Sequence, residues 1–409
     1  MRFRTKQLLQ QTLLEIENSH KLYVCQQCLD DPILKRLQPM LIAEKICVGC
    51  NQLTRTAITP ERIANFVRKY LPNHFIVDYG LHPGFEMTLP DVVSKAIGCK
   101  NRLVCEAIAD CMVDPGANEE EFYWPGQEYC LAPSPFDSEE HERWYVVGEW
   151  DNIAHELTHG RRFFNEKARK FFESLLSEAL NAEDTEHPGA PAVIKSLPVG
   201  SVVYRARIAN DHLEAAKFAK KPADELGAPP KTHAANNRMS PAGVPLLYVA
   251  SNIETCIAEV RPSIGDLVVV GGFSSTAPLK LFDFTALDSR LAHAPLSFFS
   301  PSFQMRSEHR RLLEYLHDEI ARPVRAYGTD YVVTQALAEF IRYNEQQAFD
   351  GIMFRSVQCE GGVNYVLFDK GPLESMQAPD WHPRFELDIS ADTATIHHIR
   401  AVRYEATNA

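Results

Sequence analysis

No stretch of this chain approaches the roughly 18 consecutive apolar residues that a membrane-spanning helix needs, so none is expected to cross a bilayer. A cationic excess is also missing. Lysine and arginine number 42 against 54 aspartates and glutamates, a net charge of −12, which disfavours nucleic-acid binding through a broad basic surface. Internal repeats and low-complexity tracts are absent, which excludes solenoid, fibrous and disordered classes. The first stretch, MRFRTKQLLQQTLLEIENSH, lacks the continuous apolar run of a secretory leader and reads as an amphipathic helix. The ten cysteines are therefore expected in a reducing, cytoplasmic setting, in core or metal roles rather than in disulfides.

The 45% hydrophobic and 23% charged shares are those of a globular protein, and 409 residues are too many for one ordinary core. Four segments are expected. Residues 1–55 form a helix plus a four-cysteine unit. Residues 56–182 read as helical: Thr59-Pro60-Glu61 is a helix start, and Ile63, Phe66 and Tyr70 follow at helical spacing. Residues 183–197, rich in acid, Pro and Gly, read as a linker. From 198 to 406 short β-rich runs (SVVYRARI, DLVVVGGF, GIMFRSV, NYVLF) alternate with helical patterns. Within these, Ser307 and Thr334 read as helix caps, and Ser251 with Glu254 as a capping box. The fold class is α+β, with a mixed α/β second half.

Cys25, Cys28, Cys47 and Cys50 form two C-x2-C pairs with eighteen residues between them. Each pair puts two thiolates on one knuckle, and two knuckles complete a tetrahedron about zinc with no open position, a structural site. Cys99, Cys105 and Cys111 lie in apolar surroundings and read as core thiols. HELTH, residues 155–159, puts His155 and His159 one helical turn apart beside Glu156. This is a metalloprotease arrangement, with Glu178 and His187 available as a third ligand. Against it stand Arg161-Arg162 just downstream and the lack of an edge strand to hold a peptide. A third class, a non-catalytic interaction protein built on the zinc unit, stays open.

The last constellation is dispersed. VYRAR puts Arg205 and Arg207 on one face of a strand. Arg238 precedes the SPAG turn, and Tyr248 ends an apolar run. Glu259 falls on the border of the buried stripe of a short helix, Ser356 closes a strand, and Gly361-Gly362 and Asn364 follow. Cationic clamps, an aromatic platform, one carboxylate and one hydroxyl suit an anionic nucleotide.

These stretches, VYRAR, NRMSPAGVPLLYVASNIETCIAEV and YVVTQALAEFIRYNEQQAFDGIMFRSVQCEGGVNYVLF, resemble in order and spacing the RES domain, named for its Arg, Glu and Ser. NRMSPAG departs from the commoner form, which has an aromatic after the Arg. The N-terminal half resembles the cysteine-bearing, HEPN-like helical region found before some longer RES domains. The resemblance implies an ADP-ribosyltransferase-like fold and a toxin that consumes NAD. It maps the family's site onto Arg205, Arg238, Tyr248, Glu259 and Ser356, with Arg207 competing with Arg205 and Asn364 beside them. The implied reaction is cleavage of the nicotinamide–ribose bond, with water, phosphate or a macromolecule as acceptor. A helix-turn-helix antitoxin and a homo-oligomer are the partners that go with it.

Overall fold

A computed structural model describes residues 22–78, 87–132, 139–321, 331–371, 383–389 and 391–402. The amphipathic helix expected at 1–20 lies outside the described residues. Two compact units emerge, Met1–Asp137 with Pro295–Met305, and Ser138–Ala294 with Arg306–Ala409. Among the described residues no helix is long and apolar enough to cross a membrane.

The first unit begins with the antiparallel hairpin β1 (Met40–Ile46) and β2 (Leu53–Ala57). Helix α1 (Pro60–Val67) starts as expected, with the Thr59 side chain accepting from the Arg62 amide. A short pair, β3 (Phe75–Val77) and β4 (Tyr129–Leu131), brackets α2 (Leu89–Ile97) and α3 (Arg102–Asp110) in sequence. Thr88 and Asp91 form a capping box on α2, and Asn101 caps α3. The apolar stripes of these helices meet in one core through Ile63, Val92, Ile97, Val104 and Ile108. Cys99 and Cys105 are buried as expected, but Cys111 is exposed, because it falls just past the last turn of α3.

The second unit opens with α4 (Glu139–His159) and α5 (Glu166–Leu180). Their Trp150, Phe171, Phe172 and Leu175 share a core with Phe282, Leu312, Leu316 and Leu337. The helical stretch read over 56–182 is thus divided between the two units. The 183–197 segment is built in rather than tethering: Val193 is fully buried, β5 (Glu183–Asp184) pairs away from the main sheet, and β6 (Ile194–Leu197) joins an edge of that sheet. There follow β7 (Val202–Ala209), α6 (His212–Lys220), α7 (Pro222–Leu226), β8 (Leu247–Ala250), α8 (Ile253–Glu259), β9 (Leu267–Ser275), β10 (Leu279–Asp283) and β11 (Leu291–Ala292), the last paired with β5. Then come α9 (Phe303–Ala321), α10 (Val332–Arg342), β12 (Gly351–Arg355), β13 (Val363–Leu367), β14 (Leu387–Ile389) and β15 (Thr395–His398).

Nine of the described strands form a mixed sheet in the order β14-β9-β7-β8-β13-β12-β10-β6, with β15 also on β9. Among the described strand pairs, only β10 and β12 run parallel. One junction differs from the rest. β7 pairs with β9 along all eight of its residues, whereas it meets β8 at a single pair, Tyr204 with Ala250. The sheet is continuous there by one rung, and the two strands diverge on either side of it.

Three helix starts differ from the sequence reading. Asn252, not Ser251, caps α8, because its side chain accepts from the Thr255 amide at 2.7 Å. Ser307 lies inside α9, whose first turn begins at Phe303. Thr334 lies inside the first turn of α10, where its hydroxyl reaches a carbonyl of another segment.

Candidate functional site

The divergence of β7 and β8 opens a cavity of about 540 Å³, within the range of small-molecule sites. Arg205 from β7, Arg238 from the preceding loop, Tyr248 from β8, Glu259 from α8 and Asn364 from β13 all line it. Residues distant in sequence are brought together because β8 and β13 are neighbours in the sheet and α8 follows directly from β8.

Glu259 is held by a small network. Ser356 Oγ donates to Glu259 Oε1 at 2.6 Å, and Asn364 Nδ2 donates to the same oxygen at 2.6 Å. Ser356 Oγ itself accepts from the Gln358 and Cys359 amides, both at 3.1 Å. With its lone pairs taken by two N–H groups, the serine hydroxyl has its proton free to donate to the Glu259 carboxyl oxygen. Among the described residues no protein donor meets Oε2, so that oxygen is the one left for a ligand. Ser356 does not itself line the cavity; its neighbours Arg355, Val357 and Gln358 do. Its place is behind Glu259.

The cationic side is of two kinds. Arg205 Nη1 is buried and, among the described residues, has no hydrogen-bond partner. An orphaned guanidinium nitrogen in a cavity wall marks a place for an anion or carbonyl. Burial pulls its pKa down, helped by Arg207 and opposed by Tyr248, to about 10, which leaves it cationic at neutral pH. Arg238 is half-buried over the Tyr331 ring, and its Nη1 donates to the Ile320 carbonyl. Arg207, the other candidate clamp, is not in the wall. Its guanidinium lies 4.3 Å over the Phe218 ring of α6 and is taken up by Glu225 of α7, at 3.2 Å to the carboxylate and 3.0 Å to the carbonyl.

Tyr248 is half-buried, and burial pushes its phenol up to about 12, so it stays protonated. Its hydroxyl accepts from the Met239 amide at 3.2 Å and lies 3.1 Å from Ser240 Oγ. The sequence reading missed Asn236, Asn237, Arg261 and Tyr331, all in the wall. Arg261 had a local signal only in hindsight: its φ of 49° is a left-handed backbone that a non-glycine residue rarely adopts. Tyr331 had none, since it immediately precedes a helix that reaches the cavity through the tertiary fold.

In the first unit, Cys25 and Cys28 sit on one tight turn and Cys47 to Cys50 on the turn between β1 and β2. The Cys25–Cys28, Cys25–Cys50 and Cys28–Cys47 sulfur separations are 3.6, 3.7 and 3.7 Å. A tetrahedron with zinc–sulfur bonds of about 2.3 Å has edges of about 3.8 Å, so the four sulfurs fit the metal. Burial pushes the Cys47 thiol up, but N–H groups of Cys25, Cys50 and Gly49 outweigh it and bring it down to about 7. A Cβ at Gly49 would lie 2.7 Å from Cys28 Sγ, so the knuckle needs glycine there.

The HELTH histidines lie on one face of α4 with ring centroids 4.9 Å apart and planes tilted by 51°, but both are exposed, and among the described residues no third ligand gathers with them. Glu156 is bonded by Lys167 at 3.0 Å, Glu178 is buried between Arg306 and Arg310, and His187 lies by Asp184. The protease arrangement is therefore not assembled.

No curated protein and no solved structure matches the chain. One family does: residues 202–388 match the RES domain, and the whole cavity wall, from Tyr204 to Tyr365, falls inside that span. Residues 202–388, in the second unit, are thus similar to the RES domain, and the cavity lies within that matched span.

Proposed function

We propose that the cavity binds NAD and that the protein breaks its nicotinamide–ribose bond. The observation that carries the reading is the pairing, in one cavity, of a fixed carboxylate, Glu259, with a buried guanidinium that lacks a partner, Arg205. The RES match and the cavity's size support it. Cleavage passes through an oxocarbenium-like sugar as the cationic nicotinamide leaves neutral. A carboxylate already oriented at the anomeric centre stabilises that cation without reorganising. Arg205 and Arg238 would hold the pyrophosphate, where a guanidinium fork binds two oxygens at once. Tyr248 would pack beside the nicotinamide. Ser356 acts one step back and Asn364 from the wall beside it, both holding Glu259. The expected likeness to ADP-ribosyltransferases belongs to the same proposal, as do NAD depletion in the cell and restraint by a helix-turn-helix antitoxin.

The four cysteines would hold a structural zinc, whose chemistry is to cross-link two knuckles rather than to react. The test of the main reading is incubation of the purified protein with NAD and identification of products by mass. Release of nicotinamide is expected, with the remaining ADP-ribosyl group free, phosphorylated or on a protein according to the acceptor. Intact NAD after prolonged incubation with folded protein would contradict the proposal.

A further inference from the structure

Arg238 sits on a loop, and a loop is a poor place from which to aim a charge. Yet the turn that carries it is bonded from two sides. Asn237 and Ser240 close it on themselves, with the Asn237 amide donating to the Ser240 carbonyl at 2.8 Å. Three of its carbonyls, those of Asn237, Arg238 and Ser240, are taken by two consecutive side chains in the first turn of α10. Thr334 Oγ1 donates to the Arg238 carbonyl at 2.7 Å. Gln335 Nε2 reaches the Asn237 carbonyl at 2.7 Å, Asn236 Oδ1 at 2.8 Å and the Ser240 carbonyl at 3.2 Å. On the other side, the Tyr248 hydroxyl accepts from the Met239 amide. The turn is thus held between α10 and β8, and Tyr331, the residue before α10, places its ring 5.8 Å from the Arg238 guanidinium.

We infer that Gln335, with Thr334, is a positioning residue that fixes the Arg238 turn in the cavity wall without meeting the ligand. The wall of the cavity includes Asn236, Asn237 and Arg238, but neither Thr334 nor Gln335. An amide nitrogen offers two hydrogens to the three oxygens around it, so donation alone explains the arrangement. The reason for a glutamine is that it gives donors without charge. A carboxylate of the same shape would face three oxygens with lone pairs.

Gln335→Glu tests this, because Glu matches Gln in size and helix propensity and replaces the two donors with a charged acceptor, while Gln335→Ala removes the donors without adding charge. Two readouts are taken on the full-length protein. Hydrogen exchange at the Met239, Ser240 and Gly243 amides should speed up at least tenfold in Gln335→Glu, with exchange in β9 and the melting temperature unchanged. The kinetic arm rests on the NAD reading: the apparent KM for NAD should rise about tenfold, the loss of one to two hydrogen bonds' positioning, with kcat changed less than threefold. Gln335→Ala should show both effects more weakly. Unchanged exchange in the turn would overturn the inference whether or not the protein consumes NAD. Faster exchange with an unchanged KM would also overturn it, since the turn would then not serve the ligand. A protein that leaves NAD intact fails the functional reading alone, and the exchange arm still decides whether Gln335 holds the turn.

Discussion

At the scale of the residue, the most informative atom is the Ser356 hydroxyl. It accepts from two amides and donates to Glu259, so it belongs to the machinery that orients the carboxylate. Ser356→Ala should slow NAD turnover by about ten- to a hundredfold, the worth of a hydrogen bond to a charged group, with little change in KM. Steady-state kinetics check this; a serine that touched the substrate in its ground state would raise KM instead. Asn364→Asp should be at least as severe, because it sets a second carboxylate against Oε1. Spacing along the sequence found Glu259 as a border residue but not these bonds, since Ser356 and Asn364 lie 97 and 105 positions away. Arg207 was indistinguishable from Arg205 by pattern. What separates them is Glu225 and Phe218, neighbours supplied by the packing of α6 and α7.

At the scale of the element, the strand periodicities and the α1 start were legible because they are written in neighbouring residues. The caps at Ser251, Ser307 and Thr334 were misread for the converse reason. A hydroxyl or amide near a helix start has several backbone groups in reach, and only the final path of the chain selects one. The loop from Ser356 to Val363 shows how an element serves the site. A Cβ at Gly362 would lie 2.4 Å from Thr255 Oγ1 and 3.0 Å from the Cys359 carbonyl. Gly362→Ala should therefore destabilise the second unit by about 1–3 kcal/mol, the range for overpacking, and slow turnover by displacing Ser356. Adding Thr255→Ala should restore much of the loss, because the buried Thr255 hydroxyl has no partner among the described residues to forfeit. Thermal melts of the two single variants and the double variant decide; strict additivity would contradict the contact.

At the scale of the whole molecule, composition and the cysteine spacing anticipated a metal unit ahead of a mixed α/β region, and the sulfur separations bear out the clustering. The division into units was less legible. Helix α5 carries an apolar stripe of the same kind as α2 and α3, and only the cores they enter distinguish them. Metal analysis should give about one zinc per chain, and a chelator should lower the melting transition of the first unit; less than half an equivalent, or a melt indifferent to chelation, would remove the zinc site. The central claim is that the carboxylate of Glu259 stabilises the sugar cation of NAD. Its most direct measurement is the rate of nicotinamide release by Glu259→Gln beside the parent protein, both folded and saturated with NAD. Loss of about 100- to 1000-fold is predicted, the worth of one preorganised electrostatic group; nicotinamide release at the parent rate would contradict the account.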